Sequence, residues 1–305
     1  MLRVAEHWSG TDTGRQRPAN EDSLLVRAPL FVVADGMGGA QAGEVASHMA
    51  VESFKHGLPN RADPQEGLVE LAVQANARIN ERSRSDPRHA GMGTTITAAY
   101  VGEQDVSIVH VGDSRAYCLR EGELLRLTDD HSLVDELIRQ GRLTPEEAEE
   151  HPQRSVITRA LGPEPTVEVD ARSFRGRAGD IYLLCSDGLT TMVGEEELAR
   201  VLTEHERLGD AGRALIAAAN EAGGKDNITV VLARLEEVPA GGHGDGQATT
   251  AAHALAGEGV VGTSMLADGP DESGAPLNSA YAATGTTATS APVRQRQPRP
   301  AGSEA

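Results

Sequence analysis

Short apolar or alternating runs limit this chain more than any other feature of its sequence. They fall at 30–34, 94–101, 106–111, 116–119, 167–174, 181–185 and 228–235, and runs this short, rich in β-branched residues, read as strands. Most lie a hairpin's distance from the next. Helical signals come between them in two pairs, 41–56 with 63–79 and 195–202 with 210–222. Asp63 supplies a capping carboxylate, Pro64 the first helical position and Glu66 an acid three residues after the cap. Strands in consecutive runs with helices in pairs predict an antiparallel α+β fold, not a doubly wound parallel sheet. The polar stretch 129–161 separates the blocks. It predicts a short helix over 132–140 stopped by Gly141, and a second opening at Thr144-Pro145, where Glu147 completes a capping box. This stretch reads as an insertion over a sheet edge.

The last apolar run closes at Glu236-Glu237, and from Val238 onward the chain is Ala, Gly, Thr, Ser and Pro without periodicity. Such a segment buries too little apolar surface to offset its ordering entropy. The expectation is a folded part over 1–237 and a disordered tail over 238–305, solvated despite Arg294, Arg296 and Arg299 near its end. With 28 basic against 46 acidic residues the net charge is −18, which argues against sequence-independent nucleic-acid binding. Cys118 and Cys185 each sit inside an apolar run, so buried reduced thiols are expected, without a disulfide framework or a CxxC knuckle. The first residues lack an apolar stretch of signal-peptide length, and nowhere do 18 apolar residues run together. A cytoplasmic protein without membrane attachment is expected. No exposed heptad stands out, so a monomer is expected.

Acids fall at or beside the ends of these runs. Asp35-Gly36 follows the run 31–34, Asp113-Ser114 follows 108–112, Asp187-Gly188 follows 181–186, and Asp226-Asn227 opens 228–232. The inversion of the last suits an antiparallel neighbour whose carboxylate lies at the same sheet edge. Any one Asp-Gly after a strand is more simply a turn; the joint occurrence is what points to convergence. Several carboxylates brought together need cations. Neither cysteine and no histidine pair has metal-ligand spacing, so the donors are oxygens, which suit Mg²⁺ or Mn²⁺ over Zn²⁺. Gly36 lets a backbone carbonyl approach an ion closely. The glycines after Met37 do not form a nucleotide loop, since no GxxxxGK[ST] occurs.

Six segments occur in a family order: Arg17-Pro18-Ala19-Asn20-Glu21-Asp22-Ser23, Ala34-Asp35-Gly36-Met37-Gly38-Gly39, Gly93-Thr94-Thr95, His110-Val111-Gly112-Asp113-Ser114-Arg115, Cys185-Ser186-Asp187-Gly188-Leu189 and Gly224-Lys225-Asp226-Asn227-Ile228-Thr229. Together they resemble the metal-dependent type 2C serine/threonine protein phosphatases, bacterial branch, over about residues 2–236. The resemblance implies an α/β/β/α four-layer sandwich: two antiparallel sheets, each covered by a helix pair. It implies two core Mn²⁺ or Mg²⁺ ions and a third, weaker one. Asp35 then bridges the core pair, Asp187 and Asp226 complete the first site, and Glu21 with the Gly36 carbonyl serves the second. Asp22 holds an ion's water, and Asp113 with Asp187 takes the third ion. Ser155 lies in the flap-like insertion and adds a contact there. Arg17 matches the phosphate-binding arginine, whose planar fork holds two phosphate oxygens.

The implied reaction is hydrolysis of phosphoserine and phosphothreonine by metal-activated water, with phosphorylated proteins and Ser/Thr kinases as partners. Animal members commonly have histidine where this chain has Met37, which cannot donate a proton; methionine is usual in the bacterial branch. His110, His131 and His151 read as structural or surface residues. Two alternatives stand beside this reading. One is a sigma-regulator phosphatase acting on anti-sigma antagonists, less favoured given the insertion and Arg17. The other is a non-catalytic binding module, less favoured because Glu21, Asp35, Asp113, Asp187 and Asp226 are all present.

Overall fold

The computed structural model describes residues 1–38, 42–59, 63–149 and 151–238; the expected tail beyond Val238, with its three arginines, lies outside the described residues. In chain order the strands are β1 (Leu2–Asp12), β2 (Ser23–Arg27), β3 (Leu30–Ala34), β4 (Gly36–Met37), β5 (Gly93–Thr94), β6 (Ile96–Val101), β7 (Asp105–Val111), β8 (Arg115–Arg120), β9 (Glu123–Arg126), β10 (Asp170–Arg175), β11 (Ile181–Cys185) and β12 (Ile228–Glu237). The helices are α1 (Ala42–Phe54), α2 (Pro64–Ser85), α3 (Leu133–Arg139), α4 (Pro145–Glu149), α5 (Asp187–Thr190), α6 (Glu195–Glu204) and α7 (Leu208–Glu221).

Two five-stranded sheets, ordered β1-β12-β11-β8-β9 and β10-β7-β6-β3-β2, are antiparallel throughout. The period of two along each strand sorts the core into layers. On β3, Leu30, Val32 and Ala34 pack against α1 and α2, while Phe31 and Val33 face the other sheet. On β12, Val230 and Leu232 pack toward α6 and α7, and Val231, Ala233 and Leu235 fill the space between the sheets. Strands apolar on both faces therefore lie between a sheet and a helix layer. The result is the expected four-layer α/β/β/α sandwich of two antiparallel sheets flanked by helix pairs.

Local chemistry explains the element ends. Asp63 caps α2 by accepting the Gln65 N–H at 2.9 Å. The Thr144 box forms in both directions: Glu147 accepts the Thr144 N–H at 2.9 Å, and Thr144 Oγ1 accepts the Glu147 N–H at 3.2 Å. The run 94–101 is divided, because β5 pairs with β4 while β6 pairs with β3. The run 167–174 enters its ladder only at Asp170; Val167 and Val169 pack on the α1–α2 side without pairing. Sequence periodicity passes over β1, which pairs with β12 almost end to end across a register shift between Val4 and Glu6. That shift breaks the alternation by which a strand is recognised. Both cysteines are buried, and burial pushes the Cys118 thiol up to about 11 and Cys185 to about 12. Among the described residues no helix is long and apolar enough to cross a membrane.

Candidate metal centre

Antiparallel pairing carries the acids to one end of the sandwich. Ser23 pairs with Ala34, which places Glu21-Asp22 beside Asp35. Cys185 pairs with Val230, which places Asp187 beside Asp226. Asp113 follows β7, where the chain crosses from one sheet to the other. Side-chain hydroxyls tie these ends together. Asp22 Oδ2 accepts from Ser186 Oγ at 2.8 Å and Thr229 Oγ1 at 2.6 Å, so an acid of one sheet is held by the other. The Asp35 N–H donates to Thr95 Oγ1 at 2.9 Å, and Thr95 Oγ1 lies 2.7 Å from Ser114 Oγ, beside Asp113.

Asn227 is the hub of the loops above. Its Nδ2 donates to the carbonyls of Thr13 at 3.0 Å and Ala19 at 2.9 Å, and its Oδ1 accepts the Glu21 N–H at 2.8 Å. Arg17 on that loop reaches Asp226, Nη2 to Oδ2, at 2.6 Å. The hydrogen bond with Asp226 raises the pKa of Arg17 against a partial burial cost. Sequence reasoning assigns no role to the hydroxyls or to the side chain of Asn227. Their signal is their place inside the motifs, directly beside the acids they hold.

The electrostatics are those of crowded carboxylates. Burial pushes Asp35 well above the usual range, with Asp22, Asp187, Asp113 and Asp226 adding to the rise. Asp22 is raised to about 7, chiefly by burial and against its two hydroxyl donors. Asp187 is raised to about 6 by burial and by Asp226, opposed by a hydrogen bond with Asp35. Asp113 is raised well above its ordinary value by burial, then by Asp187 and Asp130. Glu21 is raised by burial against the pull of Arg17.

Among the described residues, no three His, Cys, Asp or Glu side chains are grouped as a ready single-ion cage. Some of these acids already have partners: Asp226 faces Arg17, and Asp22 accepts from two hydroxyls. The donor set nevertheless fits hard divalent cations. Asp22 Oδ1, Asp113 Oδ1 and Asp187 Oδ1 are buried without any hydrogen-bond partner, each an oxygen whose lost hydration is uncompensated at a cost of about 1–3 kcal/mol or more. The backbone is also cleared: a methyl at Gly36 would overlap the Gly43 carbonyl, and one at Gly43 would lie 2.8 Å from Glu21 Oε2. All candidate donors are oxygens, the ligand type of Mg²⁺ and Mn²⁺.

Ser155 is different. It is exposed on the turn at 152–155 and hydrogen-bonds none of these acids. The two ends of the insertion are fixed by isolated bridges, Ser132 to Ile157 and Thr94 to Leu161. His131 Nδ1 accepts the Gly112 N–H at 3.0 Å, and His110 bonds Thr97 Oγ1 at 3.0 Å; both rings are buried and hold the turn before Asp113. Met37 lies on β4, paired with Gly93.

A two-sheet sandwich with its carboxylates gathered at one end, hydroxyl-braced and lined by oxygen donors, fits a centre for hard divalent cations. The protein phosphatase 2C family model matches residues 10–232, and the chain belongs to that family. Over 233 residues it is 42% identical to the serine/threonine phosphatase stp of Listeria monocytogenes, spanning 73% of this chain and 92% of that one. Over 234 residues it is 44% identical to the serine/threonine protein phosphatase PstP of Mycobacterium tuberculosis, spanning 75% of this chain and 45% of that one. The crystal structure of the PstP catalytic domain in complex with two manganese ions matches with a TM-score of 0.72 and 38% identity, covering 78% of this chain and all of that one.

Proposed function

We infer that the protein is a divalent-metal-dependent phosphatase that hydrolyses phosphoserine and phosphothreonine in proteins, and so opposes Ser/Thr kinases. The observation that carries this reading is the set of orphaned oxygens on Asp22, Asp113 and Asp187 at the meeting point of both sheets. Asp35, Asp187 and Asp226 with Glu21 and the Gly36 carbonyl would hold two core Mn²⁺ or Mg²⁺ ions, and Asp113 with Asp187 a third. When bound, such ions neutralise the carboxylates and the phosphate and make water a nucleophile near neutral pH.

The chain's own residues do the rest. Arg17 engages Asp226 through Nη2 and is half exposed. Its planar fork therefore has donors left for two oxygens of an incoming phosphate, a geometry lysine lacks. Asp22 is fixed by Ser186 and Thr229 with Oδ1 left to accept a hydrogen bond. That placement suits it to orient water at the centre. Burial and the neighbouring acids push Asp35 toward its protonated form, so cation binding there competes with protons. Met37 offers no proton to the leaving alkoxide, so that proton comes from elsewhere than the side chain after Asp35-Gly36.

Within this reading, 1–237 is the catalytic part, 129–161 is a flap from which Ser155 would add a contact at the metal centre, and the chain acts as a monomer on phosphoproteins and not on nucleic acid. Light scattering that gives twice the chain mass would remove the monomer. The main test is turnover of a phosphothreonine peptide with and without Mn²⁺. Turnover is expected only with metal and is expected to vanish in Asp187→Asn. Hydrolysis unaffected by chelator would overturn the assignment.

A further inference from the structure

Arginines in this acidic chain are mostly answered by acids: Arg3 by Glu236, Arg88 by Asp86, Arg120 by Asp180. Two cations at the edge of the acidic centre are not. Arg15 and Lys225 are both exposed, and neither side chain forms an ion pair or hydrogen bond among the described residues. They sit on two loops that are locked to each other. The Arg15 N–H donates to the Gly224 carbonyl at 2.7 Å. Arg15 Cγ lies so close over Gly224 that a methyl there would be 2.8 Å away, and Gly224 has a φ of +48° that favours glycine. Lys225 follows directly, and the next residue, Asp226, takes Arg17 at 2.6 Å. Three cations therefore stand on paired loops, with Arg17 the one committed to the centre.

We propose that Arg15 and Lys225 form an anion-reading rim that selects phosphoproteins carrying a second negative group, a carboxylate or another phosphate, beside the scissile phosphate. This rests on the phosphatase reading. The physical case is one of contrast. A net charge of −18 repels acidic segments at a distance, and two unpaired cations held by backbone contacts are where such a segment meets attraction instead. Because the loops are braced by Asn227 and by the Arg15–Gly224 bond, less ordering entropy opposes that contact. Exposed charges interact weakly and are screened by salt, so the effect belongs in the selectivity between substrates.

The test compares three phosphothreonine peptides on the Mn²⁺-loaded full chain: neutral flanks, a flanking aspartate, and a second phosphothreonine. The readout is the ratio of kcat/KM for each anionic peptide over the neutral one, in wild type and in Arg15→Gln/Lys225→Gln. Wild type is expected to favour both anionic peptides by about five- to tenfold at low salt, mostly through KM, with the preference shrinking as salt rises. The double variant is expected to bring the ratio to near one. Preference for the diphosphorylated peptide alone would assign the rim to phosphate; equal preference would assign it to charge of either kind. An unchanged ratio in the double variant, or no wild-type preference, overturns the proposal while leaving the phosphatase reading intact. Absence of Mn²⁺-dependent turnover of even the neutral peptide overturns both.

Discussion

Asp187→Asn separates stability from function at one atom pair. In the metal-free protein the Asp187 carboxyl is buried with Oδ1 unpartnered, and its pKa rises from 3.8 to about 6 through burial and the charge of Asp226. The folded state therefore binds a proton that the unfolded state releases earlier. The associated stability is fully present below about pH 4, is lost as the pH rises toward 6, and is gone above that. A rise of about 2 units at roughly 1.4 kcal/mol per unit makes the ionised group cost about 3 kcal/mol in the folded protein at pH 8. Asparagine carries no charge and still offers Asp35 a polar partner. The metal-free variant should therefore be more stable than wild type at pH 8 by about 2–3 kcal/mol, or roughly 4–12 °C in Tm for a folded part of this size. Thermal unfolding in chelator at pH 8, 6 and 4.5 measures this, and the gap should narrow toward pH 4. Mn²⁺ at about 1,000 times its Kd should reverse the order, since it adds about 4.1 kcal/mol to a wild-type site that the variant has lost. A metal-free variant less stable than wild type at pH 8, or a gap indifferent to pH, would refute the claim that an uncompensated carboxylate is stored there.

Asn227→Ala removes the bonds to Thr13, Ala19 and Glu21; it should lower stability by about 2–3 kcal/mol in denaturant and raise the Mn²⁺ concentration needed for half-maximal turnover. Gly36→Ala forces a methyl against the Gly43 carbonyl and within 2.5 Å of the Glu21 carbonyl oxygen. It should destabilise by about 1–3 kcal/mol and weaken Mn²⁺ binding in calorimetry. Thr144→Ala breaks the capping box of α4 at about 1 kcal/mol; hydrogen exchange should speed up over 145–149 while the global Tm barely moves.

Legibility in the sequence followed burial. Strands β3, β7, β11 and β12 are buried on both faces and show as apolar runs. β2 and β9 end their sheets, bury little, and give no run long enough to notice. β1 is half-buried and interrupted by its register shift. The acids were legible because they sit at strand ends, where side-chain position follows from pairing. Their partners were not: Arg17 meets Asp226 across 209 residues, and Asp22 meets Thr229 across 207. Pairings of that separation are fixed by how two sheets stack, which no local pattern reports. The Thr144 box, closed within three residues, was fully legible.

The bracing of the acids decides what the centre selects. Asp22 and Asp35 belong to one sheet and Asp187 and Asp226 to the other, so the like charges can relax apart only by opening the sandwich at this end. Ser186 and Thr229, donating from one sheet to Asp22 of the other, oppose that opening. Arg17 answers a single carboxylate, and burial with like-charge crowding raises the pKa of Asp35 and Asp22. A monovalent ion would leave most of the excess charge in place, and a soft ion would find neither thiolate nor imidazole among the donors. Hard dications satisfy both the charge and the orphaned oxygens, so the crowding of buried carboxylates is also what selects the metal.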